Sequence, residues 1–423
     1  GSEMCIRDRK KGESIVFAAS TSEMKTRGLK TLFEKEVEER NPRDNFFHCL
    51  VNAAHQFHNR LKNDERYILA GYPWFKCRAR DTFISLPGLT LSIEEESYFE
   101  LVMKTAERGL REFMEGKPST VKMTEIEQPD VPLWCIWAIQ QYAKEAGSER
   151  CRKLYGKLVF DIVEYIMAGK HPNLTLEENA LLHTEGRDKA VTWMNSTANG
   201  KPVVPRTGFI VEFNALWYNA LKFAAAIAGD DGLSEMAVRF EELAGRVKIS
   251  FLDTFLNEYG YLYDYVDGNM IDWSVRPNMI FPVAFDYSPL SQDQKKAVLD
   301  ICTRELLTPK GLRSLSPKSG GYNPIYVGSQ NQRDYAYHQG TAWPWLSGFY
   351  MEACLKLYKR TRLSFIERQM VGFEDEMSCH CLGTISELFD GNPPFQGRGA
   401  ISFAMNVGEI LRTLELLEKY QYQ

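Results

Sequence analysis

The sequence predicts an all-α fold, specifically a toroid of six helical hairpins (a double α barrel). Three observations lead to this prediction. Apolar residues recur at helical spacing from about Asn45 onward, the connections after every second helix are long and rich in polar and aromatic residues, and no segment alternates strand with helix as an α/β chain would. About ten to twelve helices, each of roughly 10–20 residues, are enough for six hairpins, and loops at one end of such a ring can build a single site.

Amphipathic stripes mark the predicted helices. In the first of them Phe46, Leu50, Ala53 and Phe57 follow one another at three- and four-residue spacing. The later predicted helices are Ile93–Glu115, Leu133–Ala146, Cys151–Met167, Asn214–Ala228, Ser234–Phe255, Gln292–Leu307, Ala342–Tyr358, Leu363–Met377 and Ala400–Tyr420. The long predicted connections are Ala70–Pro87, Arg187–Val211, Asp267–Phe285 and Leu315–Gly340.

Composition and charge exclude several classes of protein. The chain has 423 residues, of which 44% are hydrophobic, 12% aromatic and 25% charged, as in a globular protein rather than a disordered one. Its formal net charge of −5 lacks the basic excess of a nucleic-acid-binding surface, and no apolar run reaches the ~18 residues of a membrane-spanning helix. We therefore expect neither nucleic acid nor a membrane as a partner.

The nine cysteines are scattered along the chain, and none forms a CxxC pair. Cys379 and Cys381 are too close in sequence for a normal zinc knuckle, and no group of His, Asp or Glu residues has the spacing of metal ligands. We expect free, mostly buried thiols in a reducing compartment, no metal site and no cofactor.

Polar and aromatic residues are concentrated in five loop segments. A sugar ring has an apolar face, on which Trp and Tyr stack, and a rim of hydroxyls, which charged and amide side chains bind. Hydrolysis of a glycoside also needs two carboxyl groups across the scissile bond. The segments are Gly71–Phe75 with Arg80–Thr82, Thr192–Asn195 with Arg206 and Glu212, Arg276–Asn278, Tyr337–Trp345, and Gly383–Gly391. The segments and their flanks supply the candidate carboxyl groups Asp81, Glu185, Asp188, Glu212, Glu387 and Asp390.

Some of these residues also have a purely structural interpretation. The adjacent Arg80 and Asp81 are suited to grip two neighbouring sugar hydroxyls, but Asp81 is equally a candidate helix cap in a local ion pair. His338 can be a packed histidine bonded to a nearby carbonyl, and Trp343 and Trp345 taken alone suit a core. Each segment taken singly leaves both interpretations open.

Taken together, the segments resemble one family, the glycogen debranching enzymes, in their amylo-α-1,6-glucosidase catalytic domain. The matching motifs run in one order over nearly the whole chain, from about Leu69 to Leu414. The resemblance implies a six-hairpin α/α barrel that is distantly similar to glucoamylase. The motifs are Ala70–Phe75 with Arg80–Thr82 and Ser85–Leu89, Asp130 with Pro132–Trp134, Val211–Leu221, Val275–Asn278, Gly311–Ser316, Tyr337–Trp345 and Ile385–Pro394.

The resemblance also implies a domain organisation. The family's barrel commonly follows a β-rich N-terminal domain, so we expect residues 1–42 to be a tag-like start followed by the tail of such a domain in truncated form. Ile15–Ser20 is predicted to be its short β remnant, and residues 43–423 are predicted to be the barrel. Because the chain has no room for the separate transferase domain of eukaryotic relatives, we expect a bacterial and cytoplasmic protein. Its oligomeric state is open.

The function implied by the resemblance is that of an inverting glycoside hydrolase, which releases glucose from the α-1,6 branch points of glycogen or a related α-glucan. Glu387 matches the family's general base, and Arg80 and Asp81 match the pair that holds the terminal glucose. The two catalytic groups of such an enzyme lie ~6.5–9.5 Å apart, which leaves room for the attacking water. The remaining candidates for the sugar site are Trp74, Trp193, Glu212, His338, Gln339 and Trp343.

One departure from the family pattern concerns the general acid. The family has an Asp after Thr-Trp-Met, whereas this chain has Asn195, and an amide has no proton to deliver near neutral pH. Three interpretations are open: a carboxyl group elsewhere serves as the acid, the protein binds glycan but cleaves it poorly, or Asn195 is an inactivating change. For the first, Glu212 is the leading candidate, ahead of Asp188 and Glu185. A hydrolase of another small α-glucoside is a further alternative.

Overall fold

The computed structural model describes residues 10–20, 23, 27–61, 64–380 and 382–422, and the fold they form is mainly helical, as predicted. Four 3₁₀ turns accompany the α-helices in this part of the chain, at Leu91–Ile93, Pro277–Ile280, Lys359–Arg362 and Asp375–Met377. The α-helices are Leu29–Glu38 (α1), Phe46–Phe57 (α2), Ala79–Thr90 (α3), Glu96–Met114 (α4), Val131–Ala146 (α5), Ser148–Met167 (α6), Val211–Asp230 (α7), Ser234–Phe255 (α8), Phe281–Ala284 (α9), Gln292–Glu305 (α10), Gln330–Ala336 (α11), Trp345–Tyr358 (α12), Leu363–Glu374 (α13) and Ala404–Gln421 (α14).

The all-α prediction overlooked short antiparallel strands in the connections, which are two or three residues long. These ladders give hydrogen-bond partners to the backbone of loops that are partly buried. One five-stranded sheet has the spatial order Met270–Ile271, Tyr265–Asp267, Gly208–Ile210, Leu182–Thr184, Thr175–Leu176. The second has the order Leu307–Thr308, Gly311–Arg313, Ala342–Trp343, Leu388–Phe389, Gly397–Arg398. Three further ladders pair His58–Arg60 with Arg66–Ile68, Gly71–Tyr72 with Ser402–Phe403, and Thr197–Ala198 with Lys201–Pro202.

The core lies among the helices whose residues are buried on nearly all sides. Helix α3 packs against α5 and α14, α5 packs against α7, and the short α9 contacts both α7 and α12. Helix α12 in turn packs against α14. The amphipathic helices α2, α4, α6, α8, α10 and α13 each present one apolar face to this core and one polar face to solvent.

Helix α3 corrects the prediction that Ala70–Pro87 is a connection. All twelve of its residues are buried, so the helix has no polar face and produces no amphipathic period in the sequence. Its tight packing depends on glycine, because a Cβ built on Gly88 would lie 1.8 Å from the carbonyl oxygen of Gly408 in α14. Pro87, at the end of the predicted connection, therefore lies with Gly88 inside a buried helix crossing.

Three smaller predictions were also wrong. The predicted connection Asp267–Phe285 contains α9, which is buried throughout and too short to show an amphipathic period. The predicted connection Leu315–Gly340 contains α11, whose first turn is closed by a reciprocal capping box between Ser329 and Gln332. The predicted strand Ile15–Ser20 has no regular secondary structure and joins none of the described sheets.

Within the described residues, none of the helices combines the length and apolar character needed to span a bilayer. Cys5 and Cys381 lie outside the described residues. Seven cysteines are free, five of them buried and Cys49 and Cys379 more accessible; the buried five are Cys77, Cys135, Cys151, Cys302 and Cys354.

Candidate active site

The second five-stranded sheet brings two distant loop segments together. Ala342 pairs with Phe389, so the strand that carries Trp343 lies beside the strand that begins directly after Glu387. Asn406, near the start of α14, fixes the same segment by donating to the carbonyls of Ser386 and Glu387. Nearly fifty residues of sequence therefore separate side chains that this ladder places next to each other.

A small cavity lies beside this sheet, and we call it the inner cavity. Six of the residues predicted to form the site line it together, which confirms that the loops converge without testing the role of each residue. Its wall combines aromatic rings with charged and amide groups, the combination that suits a sugar. The lining residues are Arg78, Arg80, Asp81, Trp193, Asn195, Tyr337, His338, Trp343, Phe403 and Met405.

Five rings contribute to the aromatic wall of the inner cavity, and three of them contact one another closely. His338 stacks on Trp343 with ring centroids 5.3 Å apart, and Trp193 stands perpendicular to His338 at 5.2 Å. Both ring nitrogens of His338 are buried and have no hydrogen-bond partner among the described residues, so the interpretation of a histidine bonded to a carbonyl is wrong. Burial lowers the pKa of His338 well below 6.5, and the neutral ring therefore offers one donor and one acceptor.

Arg80 and Asp81 both reach the inner cavity from the first turn of α3, but they differ in their partners. Arg80 is buried and paired with Asp130, through contacts of 2.6 Å from Nε and 2.8 Å from Nη2. These two bonds leave Nη1 as the nitrogen free of that pair. Asp81 is the third residue of the helix and not its cap, and it has no ion pair within 4 Å in the described chain. Burial raises the pKa of Asp81 to about 6.

Glu387 is buried beside the inner cavity and receives two hydrogen bonds. The backbone N–H of Ala400 donates to Oε2 at 2.6 Å, and the hydroxyl of Tyr337, a residue of the cavity wall, donates to Oε1. Burial raises the pKa of Glu387 to about 8, the charge of Asp81 adds to the rise, and Ala400 and Arg78 oppose it. Such a carboxyl group can exchange a proton near neutral pH, which is the property required of a general acid or base.

Asn195 is half-buried and lines the inner cavity, whereas Glu212 does not. Both carboxylate oxygens of Glu212 are bound by Arg206, with 2.6 Å between Oε2 and Nη2, and Arg206 also pairs with Asp264. Burial raises the pKa of Glu212, and Arg206 opposes that rise. A carboxylate held by two guanidinium bonds behind the cavity is poorly placed to protonate a leaving group in it.

The two weaker candidates for the acid lie elsewhere. Glu185 and Asp188 are exposed and line a separate surface groove, and Asp188 lies 3.9 Å from Lys201. Among the residues that line the inner cavity, Asp81 is the one with a carboxyl group. The structure thus places Asn195 and Asp81 in the wall of the inner cavity. Glu387 lies directly behind that wall.

Three further predicted residues surround the inner cavity at greater distance. Trp74 is 60% exposed and lines a second, outer cavity together with Gly399. Gln339 is half-buried, and its Oε1 accepts a hydrogen bond of 2.8 Å from Arg276. Asp390 is bound by Arg398 through Nε and Nη2.

Comparison with known proteins decides the family. A model of the family described as amylo-alpha-1,6-glucosidase matches residues 50–412, which is most of the chain. The chain belongs to this family. It is therefore a glycoside hydrolase, as the resemblance implied.

Individual relatives are more distant. The glycogen debranching enzyme of Saccharomyces cerevisiae is 25% identical over 239 residues, which cover 45% of this chain and only 15% of the yeast enzyme. Among solved structures, a GH63 mannosylglycerate hydrolase from Thermus thermophilus aligns with a TM-score of 0.58 at 12% identity, over 87% of this chain and 99% of that one. A structure named sialidase aligns with a TM-score of 0.63 at 14% identity, over 87% of this chain and 33% of that one. At these identities the two structures share the fold of this glycoside hydrolase.

Sequence reasoning did not assign a site role to several residues of this member of the family. Tyr337 holds Glu387, Arg78 faces the same carboxyl group electrostatically, and Asp130 fixes Arg80. Tyr337 and Asp130 lie inside motifs that carried the resemblance, so their position was a usable signal. Arg78 stands two residues before Arg80, and nothing in the sequence separates its role from that of an ordinary surface arginine.

Proposed function

We propose that this chain is an inverting, exo-acting α-glucoside hydrolase that releases glucose from α-1,6 branch points of glycogen or a related α-glucan. The observation that carries the proposal is Glu387, a buried carboxyl group with a raised pKa next to a cavity lined by Asp81, Trp193, His338 and Trp343. In this proposal the rings receive the apolar face of the terminal glucose. Asp81, Arg80 and the neutral His338 bind its hydroxyls.

The proposed chemistry is a single displacement at the anomeric carbon. Ionised Glu387 accepts a proton from water as the water oxygen bonds to that carbon and the bond to the leaving oxygen breaks. Tyr337 and the N–H of Ala400 hold the Glu387 carboxylate for this step. The leaving oxygen still requires a proton, and Asn195, which stands where the family has its acid, cannot supply it.

The fold proposal is a complete toroid of six helical hairpins, with α3, α5, α7, α9, α12 and α14 inside and α2, α4, α6, α8, α10 and α13 outside. The order of packing supports it, because α3, α5, α7, α9, α12 and α14 contact one another in sequence and α14 returns to α3. The residues of the inner cavity come from the start of α3, the start of α14 and the loops before α7 and α12, as expected for a site at one end of such a ring.

A second candidate function is a glycan-binding protein that cleaves poorly. The observation in its favour is Asn195, together with a cavity wall in which Asp81 is the one carboxyl group. The position of Glu212, paired with Arg206 outside that wall, supports this candidate over a relocated acid.

The free and mostly buried thiols suit a reducing compartment, and we propose a cytoplasmic, bacterial protein.

Two substrates test these proposals. The fluoride ion of α-glucosyl fluoride leaves without a proton, so an enzyme with a working base but no acid should hydrolyse this substrate. Inversion should yield β-glucose as the first product in a proton NMR time course. Glu387→Gln should reduce this rate by several orders of magnitude. Release of glucose from a branched limit dextrin tests the α-1,6 specificity and the supply of the acid. A protein that binds the dextrin but hydrolyses neither substrate would be a binder.

A further inference from the structure

A second cavity of about 600 Å³, the outer cavity, is lined by Gly399, a close neighbour of Glu387. Gly399 joins it to the carboxyl group, since a Cβ built on Gly399 would lie 2.3 Å from Oε2 of Glu387. Tyr326 joins it to the inner cavity, since its ring lies 5.5 Å from the ring of Tyr337. A substrate that extends from the inner cavity past Glu387 therefore enters the outer cavity with the part that becomes the leaving group.

The ionisable groups of the outer cavity are all bases, apart from the tyrosine. Arg333, His380 and Arg398 line it, and none of its described lining residues carries a carboxyl group. Asp390 binds Arg398 through Nε and Nη2, at 3.0 and 2.8 Å, and leaves Nη1 without a bond to that carboxylate.

Arg333 is a better candidate than Arg398 for binding an anion, because its positive charge has no carboxylate partner. It donates to the carbonyl oxygen of Gly328 at 2.6 Å and to Oε1 of Gln330 at 2.8 Å, both neutral acceptors. The described residues place no carboxylate within 4 Å of its guanidinium. The nearest acid in the sequence, Asp334, accepts a hydrogen bond from Gln330 instead.

This wall differs from the inner cavity in what it can recognise. A neutral sugar presents hydroxyls that both donate and accept, and the inner cavity matches them with Asp81 as an acceptor beside Arg80 as a donor. The side chains of the outer cavity offer mainly donors, two of them permanently charged, so they match a group that only accepts. Carboxylate and phosphate are such groups, and arginine binds both.

Trp74 completes the outer cavity with an exposed ring, whose contact with Phe75 is edge-on at 6.4 Å. An exposed indole in a polar cavity is a platform for a flat or ring-shaped group. We infer that the outer cavity is the leaving-group subsite and selects a leaving group with a carboxylate or phosphate, which Arg333 and Arg398 bind while Trp74 supports its body. This inference rests on the proposed role of Glu387 at the scissile bond, and it favours a small α-glucoside with an acidic leaving group over the neutral branch points of glycogen as the substrate.

The test compares two aryl glucosides with matched leaving groups. The substrates are 4-nitrophenyl α-glucoside and its 3-carboxy derivative; both nitrophenolates depart without a general acid, and only the second carries a carboxylate. We expect the ratio of kcat/KM to favour the carboxylated substrate by about tenfold or more, the scale of one charged hydrogen bond. Arg333→Gln should bring the ratio close to one, and Arg333→Lys should restore part of it. The control Arg304→Gln, on the exposed face of α10, should leave the ratio and both rates unchanged.

A binding experiment keeps this inference separate from the proposed activity. Calorimetric titration of the full chain with gluconate, sorbitol 6-phosphate and sorbitol should show binding of an anion and not of sorbitol. The tighter of the two anions identifies carboxylate or phosphate as the preferred group. If neither aryl glucoside nor glucosyl fluoride is hydrolysed, the proposed function fails and with it the leaving-group role, but anion binding that disappears in Arg333→Gln still establishes an anion site in the outer cavity. Equal kcat/KM for both substrates, or anion binding that Arg333→Gln does not weaken, would overturn the inference.

Discussion

The raised pKa of Glu387 predicts a pH-dependent stability that belongs to this one carboxyl group. Its ordinary pKa is 4.5, and burial raises it to about 8 in the folded protein. Between these values the folded state retains a proton that the unfolded chain releases, so an increase in pH favours unfolding. The contribution is fully favourable below the unfolded pKa and is lost as the pH rises through about 8. The perturbation that removes it is Glu387→Gln, which keeps the shape of the side chain without a titrating proton.

The magnitude follows from the two pKa values. At 1.36 kcal/mol for each pH unit, the whole difference corresponds to about 5 kcal/mol, and the part that develops between pH 5 and pH 8.5 is about 4 kcal/mol. The stability of Glu387→Gln relative to the parent should therefore increase by about 4 kcal/mol over this range. The variant also loses the contacts of the carboxylate with Tyr337 and Ala400. This loss shifts the free energy of unfolding by a similar amount at every pH, so the pH dependence of the difference between the two proteins is the diagnostic.

Urea unfolding of parent and variant at pH 5, 7 and 8.5 measures this slope. Glu418→Gln, an exposed carboxyl group on α14, is the matched control and should show no pH-dependent difference from the parent. The reasoning is refuted if the difference between Glu387→Gln and the parent is the same, within about 0.5 kcal/mol, at all three pH values. Glu387 would then be ionised throughout, with its two hydrogen-bond donors outweighing burial.

The remaining predictions concern four other positions. Asp81→Ala should weaken glucose binding by about 1–3 kcal/mol in calorimetry, because a buried charged acceptor is lost; unchanged affinity would make Asp81 structural. Asn195→Asp should speed hydrolysis of limit dextrin by ~10²–10⁴-fold, and no gain would show that the leaving oxygen is protonated by another group. Glu212→Gln should destabilise the fold by about 1–3 kcal/mol in urea unfolding without moving the alkaline limb of the pH–rate profile; loss of that limb would identify Glu212 as the acid. Gly88→Ala should destabilise the protein by about 3 kcal/mol or more in the same assay, since its Cβ meets the backbone of α14, and a normal stability would mean that the helices can separate.

The fold was predictable where helices have one apolar and one polar face. The observed Ser148–Met167 and Ser234–Phe255 lie within three residues of their predicted bounds, because their exposed faces leave a clear period in the sequence. Ala79–Thr90 was missed because burial on every side removes that period. The short strands were missed because two or three residues cannot express an alternating pattern, and some of their ladders, such as that between Ala342 and Phe389, also join segments that are far apart in the sequence.

The sequence predicted which residues belong to the candidate site better than it predicted the chemistry of each residue. The motifs brought Arg80, Asp81, Trp193, His338 and Trp343 to one cavity, because the first two stand in the first turn of α3 and the other three in the segments that lead into α7 and α12. Sequence could not tell which carboxyl groups are already paired. Glu212 and Glu387 look alike as carboxyl groups in conspicuous motifs, yet one is held by Arg206 and the other faces a tyrosine and a backbone N–H. That difference depends on partners 6 and 50 residues away, which no local pattern specifies.

Asn195 and the outer cavity together suggest that the leaving group decides what this enzyme can cleave. A positioned general acid contributes ~10²–10⁴-fold to a reaction whose leaving group is a poor one, such as an ordinary sugar hydroxyl. The contribution shrinks as the leaving oxygen becomes more acidic, because less proton transfer is needed when the bond breaks. With Glu387 as the proposed base and an amide at residue 195, the site should therefore discriminate steeply among leaving groups. In the proposed leaving-group subsite Arg333 and Arg398 would act in the same direction, since positive charges near a departing oxygen stabilise the anion that forms when no proton is delivered. On this proposal, the amide at residue 195 narrows the range of substrates and does not by itself abolish hydrolysis.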